Sequence, residues 1–301
     1  MVLLATLADL GPWQIAAVAV RAGLYAGILV GIGSLLFSLL LGEPTSGVRR
    51  TVTAAGVTGA ALGLVLLGLE WPLRAGFLGG GSLAAATNPR LLAIAVDGVF
   101  GQRLILVGIG LAVVAVALIA RRRWPRLTGT AGVGGALIAT AGFGIAGHTG
   151  ASAPWLLGSV LMVHLLAAAY WIGALLPLHR VAGPPIEPGA AAILERFGRL
   201  AVEILAALVV AGGALAYWLT GSIQALLTSA YGQSLLAKIV LVAGLLGLGA
   251  LNKLRLVPAF ARGAPQAGQQ LRRSIRLEAA VAALVLVATG LLTTATSAPT
   301  A

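Results

Sequence analysis

Three histidines, His148, His164 and His179, are the whole imidazole complement of this 301-residue chain, and all fall between residues 147 and 180. Imidazole changes charge nearest neutral pH and is the commonest metal ligand among side chains. His164 sits inside a long apolar run, where an ionisable group is costly and by default functional. His148 ends the preceding run, before a turn of Gly150, Ser152 and Pro154, and His179 follows Pro177 at the far end. The three are spaced along one helical hairpin, one at its mouth, one within and one at its exit. Nitrogen donors with no carboxylate beside them suit copper or zinc and disfavour magnesium or calcium. His148 and His164 are the expected metal ligands. His179, next to Arg180, reads as an interfacial residue.

The neighbouring chemistry is sparse. Met162 is the one methionine besides Met1. Two residues from His164 on a helix, it points about 200° away and cannot share an ion with it. A methionine-lined copper(I) path is therefore not expected. Trp171 falls on the His164 face of the helix with Val160, Ala168 and Leu175, where it could close a cavity. Lys238 lies about one turn inside a later apolar run, placed to counter an anion or to snorkel to the interface. Glu195, Arg199 and Glu203 at i, i+4 spacing read as a surface charge network, and Glu278 with Arg273 or Arg276 reads the same way. There is no nucleophile elbow, and Gly79 to Gly81 lack the lysine of a phosphate-binding loop. No enzyme activity is expected.

These residues must be positioned by elements that suit a bilayer. Apolar residues make up 59% of the chain and charged ones 9%, with a mean hydropathy of +1.02. Soluble domains carry about 25% charge, so the chain reads as a polytopic membrane protein. A hydrocarbon layer about 30 Å thick takes roughly 20 residues of helix. Eight runs meet that length, at about 15–41, 51–70, 102–120, 131–147, 155–178, 201–220, 234–256 and 277–296. The expected fold is an all-α bundle of eight transmembrane helices, with 71–100 as a short amphipathic piece at the surface. The first run lacks a basic leader and reads as an uncleaved span rather than a signal peptide. The absence of cysteine excludes thiolate and iron–sulfur sites.

The net charge of +12 does not point to nucleic acid, because the basic residues form short clusters between spans rather than a stripe with aromatics. Arg49 and Arg50 follow span 1, and Arg121, Arg122, Arg123 and Arg126 follow span 3. Arg180, Arg196 and Arg199 follow span 5. Lys253, Arg255, Arg262, Arg272, Arg273 and Arg276 follow span 7. These are fifteen of the 20 basic residues, all on one side. The positive-inside bias puts that side in the cytoplasm and both termini outside. An internal repeat is also visible: "FGQRLILVGIGLAVVAVALIARRR" from Phe100 resembles "YGQSLLAKIVLVAGLLGLGALNKLR" from Tyr231. With four spans each, the halves would be parallel repeats. His148, His164 and Lys238 have no polar, titratable counterpart at matching points of the first half, so the chemistry is expected in spans 4, 5 and 7.

At these residues the chain resembles the copper resistance protein D (CopD) family of bacterial inner-membrane proteins. The resemblance rests on "GHTGASAPW" leading to "HLLAAAYWIGALLPL", then "YGQSLLAKIVLVAGLLGLGALNKLRLVPA" and "LRRSIRLEAAVAALVLVATGLLTT", in family order over about 140–296. It divides the chain into an N-terminal transmembrane half, 1–130, and a CopD-like region, 131–301. It implies copper handling across the inner membrane, usually import from the periplasm, and copper homeostasis or resistance. His148, His164, Trp171, Lys238, Asn252 and Glu278 match recurrent family positions. With no copper-binding domain fused to the spans, the resemblance implies a separate periplasmic donor protein. Two other readings stay open: a haem-binding redox protein with iron held by such histidines, and a factor delivering copper to an oxidase.

Overall fold

Most helix starts in this chain are explained by the residues that open them. Pro12 and Pro125 occupy first-turn positions, where a missing N–H costs nothing. Thr45 and Ser229 cap their helices by accepting from the N–H groups of Val48 and Gly232, at 3.3 and 2.9 Å. The computed structural model describes residues 9–43, 45–145 and 154–294. Eight long helices run through it: α1 (Pro12–Leu40), α2 (Ser46–Leu78), α3 (Val99–Ala120), α4 (Pro125–Gly144), α5 (Pro154–Val181), α6 (Ala190–Thr220), α7 (Ala230–Ala261) and α8 (Ala267–Thr294). Each is long and apolar enough to cross a membrane. The described residues contain no strand. The fold is a helical membrane bundle.

The start of α1 and the end of α8 share one face, where Arg21 Nη1 donates to the Thr293 carbonyl at 2.5 Å. We call this the terminal face, and the opposite one, with the four basic loops, the loop face. α1 and α5 form the centre of the bundle, packing on each other and both on α8. Their crossing is backbone on backbone. A Cβ added at Gly33 would lie inside the Ala169–Gly173 segment of α5, and one at Gly173 inside α1. Small residues are what permits such approach in a membrane, where no hydrophobic drive holds helices together. α6 and α7 lie to one side. Val202, Val209, Val210, Ile239 and Val240 stand exposed on them, as lipid-facing side chains should.

Three local features refine the sequence reading. α2 does not stop near residue 70 but continues through Pro72 to Leu78, which carries Glu70 into the bundle. Beyond it two short helices, Leu83–Ala86 and Pro89–Val96, lie on the terminal face, where Trp71 Nε1 donates to the Leu92 carbonyl at 2.8 Å. The two repeat motifs share a local structure: a short helix precedes each, and Gly101 and Gly232 lie against the carbonyls of Val96 and Leu226 where a Cβ would not fit. In α7 the hydrogen-bond ladder slips to a π turn over Asn252–Leu256. Pro258 follows after Val257, and its missing N–H cannot serve the carbonyl four residues back.

Candidate functional site

His164 lies about 15 Å along α5 from its terminal-face end, at 1.5 Å per residue. Its Nδ1 is 3.3 Å from the Leu208 carbonyl of α6. A carbonyl only accepts, so Nδ1 carries the proton and the lone pair is on Nε2. Gly212, one turn further along α6, makes room for the ring: a Cβ there would be 3.1 Å from His164 Cε1. Lys238 lies on α7 about 12 Å from that helix's terminal-face end, a depth similar to that of His164 on α5. Met162 is part-buried on the same helix, two residues away.

His179 differs. Arg272 Nε donates to its Nε2 at 3.3 Å, so that lone pair is occupied in tying the loop-face end of α5 to α8. His164 and His179 are also about 22 Å apart along one helix, so the two cannot grip one ion or one haem iron. His148, the other expected ligand, lies outside the described residues. Among the described residues no group of three or more histidine or acidic side chains converges as a metal site.

Two helical turns beyond His164, Trp171 is buried and its Nε1 donates to Glu278 Oε2 at 3.0 Å. Asn252, first residue of the π turn, donates through Nδ2 to Glu278 Oε1. This constellation corrects the expectation that Glu278 forms a surface network with Arg273 or Arg276. Those arginines are exposed, whereas Glu278 is only 3% exposed and pairs with no cation among the described residues. The signal was in the sequence. Leu271, Ser274, Ile275, Glu278, Ala282 and Val285 recur at helical spacing and are all buried. Glu195, Arg199 and Glu203 are exposed as expected, but form no ion pair among the described residues.

Beside this acid lies a cavity of 340 Å³ between α5, α6, α7 and α8. Its walls are mainly leucine, valine and phenylalanine, with Trp171, Asn252, Lys253 and Glu278 as the polar exceptions. Tyr170 holds one wall, donating from its hydroxyl to the Phe197 carbonyl at 3.1 Å and stacking on that ring at 5.0 Å.

The first half has buried charges of its own, at positions other than those the repeat aligns with Lys238. Glu70 of α2, 5% exposed, accepts from Arg21 Nε of α1 at 3.1 Å and from Arg103 Nη2 of α3. The Arg103 guanidinium also stands 4.9 Å from the Phe143 ring centre, a cation–π contact.

With this geometry in place, comparison with known families is decisive. Residues 8–158 match the copper resistance protein D-like N-terminal domain, and residues 191–292 match copper resistance protein D. The chain belongs to the copper resistance protein D family. No curated protein and no solved structure matches it. For a member of this family the site is divided in an informative way. Lys238, Asn252 and Glu278 lie inside the C-terminal match and His148 inside the N-terminal one. His164, Trp171 and His179 fall between the two matches, on the helix that joins them. The protein is thus a multi-pass membrane protein of copper resistance, with its polar interior assembled across that junction.

Proposed function

We propose that this protein carries copper ions inward across the bacterial inner membrane, with both termini outside and His148 and His164 as successive or shared ligands. It does so as a carrier, without covalent chemistry. The observation that carries the reading is the orientation of His164. Metal-binding histidines commonly donate one ring N–H to a carbonyl, which fixes the ring and leaves the other nitrogen to the metal. His164 does this towards Leu208. Lys238 supports transport over storage, since a buried cation at a similar depth in the bundle works against a bound ion resting there. Conduction needs binding weak enough to release. Copper is the substrate in this reading, delivered by a separate periplasmic donor, while Trp171, Asn252 and Glu278 support transport from the bundle interior beyond the histidine site.

The test is copper accumulation in cells making the double variant His148→Ala, His164→Ala, with His179→Ala as comparison. The double variant is expected to accumulate copper at the level of cells lacking the protein, and the His179 variant close to wild type. Wild-type accumulation in the double variant overturns the ligand assignment. A Soret band from stoichiometric haem in the purified protein would replace transport by redox chemistry.

A further inference from the structure

Two acids are buried in this bundle, and their surroundings are opposite. Glu70 is held by two guanidinium groups, whereas Glu278, equally buried, receives only the neutral donors Trp171 and Asn252. α8 packs on α1, α5 and α7 and carries Arg272, Arg273 and Arg276 itself. The ionisable groups those neighbours bring are Arg21 and Tyr25 on α1, His164, Tyr170, His179 and Arg180 on α5, and Tyr231, Lys238, Lys253 and Arg255 on α7. Lys253 lines the same cavity as the acid. None of them pairs with Glu278 among the described residues. An ionised carboxylate buried without a cation is unfavourable. Its charge must be balanced by something that arrives and leaves.

We propose that Glu278 is the proton site of the transport cycle, taking up and releasing a proton through the adjoining cavity as copper moves. This rests on the copper-transport reading above and names its coupling ion. A volume of 340 Å³ holds roughly ten waters at about 30 Å³ each, enough for a hydrated path to the carboxyl. Asn252 serves both charge states. Its Nδ2 donates to the carboxylate, while its Oδ1 is buried with no hydrogen-bond partner. When the carboxyl is protonated, a turn of the amide lets that oxygen accept the acid O–H, so the same side chain can bond the carboxyl in either charge state.

The donor set selects the proton over other cations. A sodium or divalent ion would need several oxygens, and the cavity beside Glu278 and Asn252 is lined chiefly by hydrocarbon. Copper prefers nitrogen or sulfur, and neither is offered there as a lone-pair donor. Coupling to the copper site runs through Trp171, which bonds the acid and lies on the helix that carries His164.

The full-length protein in liposomes, with a pH dye and a copper-sensitive dye inside, tests this with external copper chloride, with and without ascorbate. Wild type is expected to show copper influx accompanied by copper-dependent proton movement. Glu278→Gln keeps the shape and the acceptor for Trp171. It is expected to lose the proton movement and the response of copper flux to an imposed pH gradient. Glu278→Asp should retain both in part. A hydrophobic carbodiimide, which adds to protonated carboxyls, should label Glu278 in wild type and stop both fluxes, while Glu70 stays unlabelled. This arm holds even if the glutamine variant misfolds. Copper flux without proton movement in wild type, sodium in place of the proton, or an unlabelled Glu278 in an active preparation overturns the proposal. Wild-type liposomes with no copper flux overturn the transport reading itself, a separate result.

Discussion

Replacing Glu70 by glutamine isolates the electrostatics of the first half. The substitution preserves volume and one acceptor, so packing stays as it is while the charge disappears. Arg103 is then left 8% exposed with no anion against it. Breaking a buried pair by removing one partner costs about 3–5 kcal/mol, chiefly because the other charge remains buried. Arg21 is 25% exposed and reaches the Thr293 carbonyl as well, so its share is screened and worth under about 1 kcal/mol. The expected order of destabilisation is Glu70→Gln and Arg103→Gln far above Arg21→Gln. The double variant Glu70→Gln, Arg103→Gln should cost less than the sum of its parts, since it removes both charges. Glu278→Gln, which removes a charge with no cationic partner, should be close to neutral. Denaturant titration in detergent, followed by fluorescence of the six tryptophans, measures all five. A Glu70→Gln variant within about 0.5 kcal/mol of wild type, the usual range for a surface change, would refute the claim that this carboxylate balances Arg103.

Lys238→Met should strengthen copper retention and slow its release. Removing a like charge near the site is worth about 1–2 kcal/mol at protein-like dielectric, or roughly tenfold in affinity; equilibrium binding and efflux rates check it. Reporter fusions after Arg123 and Arg262 should read cytoplasmic, and a fusion at Ala301 external. The opposite pattern would invert the topology. Gly33→Ala should sharply reduce folded protein in membranes, because its Cβ would meet the backbone of α5; a variant purified at wild-type yield and stability would show that the crossing can open without loss.

The spans were legible because a bilayer demands a long apolar run from each of them, and eight runs stood out by length alone. What was harder to read is what faces inward. His164 could be singled out as an ionisable group amid leucine and alanine, and its bond to Leu208 then follows from packing that no single helix encodes. Glu278 was misread because nearby arginines suggested pairing, although residues 273 and 276 fall on other faces of α8. The stripe from Leu271 to Val285 would have corrected it. Glu70 was hidden more deeply. It closes the apolar run that defined its span, and its partners come from α1 and α3, at sequence distances that periodicity cannot bridge.

The seventh helical unit is 32 residues long. At 1.5 Å per residue it measures about 48 Å, against a hydrocarbon layer of about 30 Å. It must tilt or protrude, and its π turn is a natural place for the bend. Because α6 and α7 form the outer wall of the cavity, lipid chain length acts directly on that wall. Thicker bilayers would draw α7 upright and thinner ones lean it further, at fractions of a kcal/mol per Å of mismatch. The acyl composition of the membrane would therefore bear on access to Glu278.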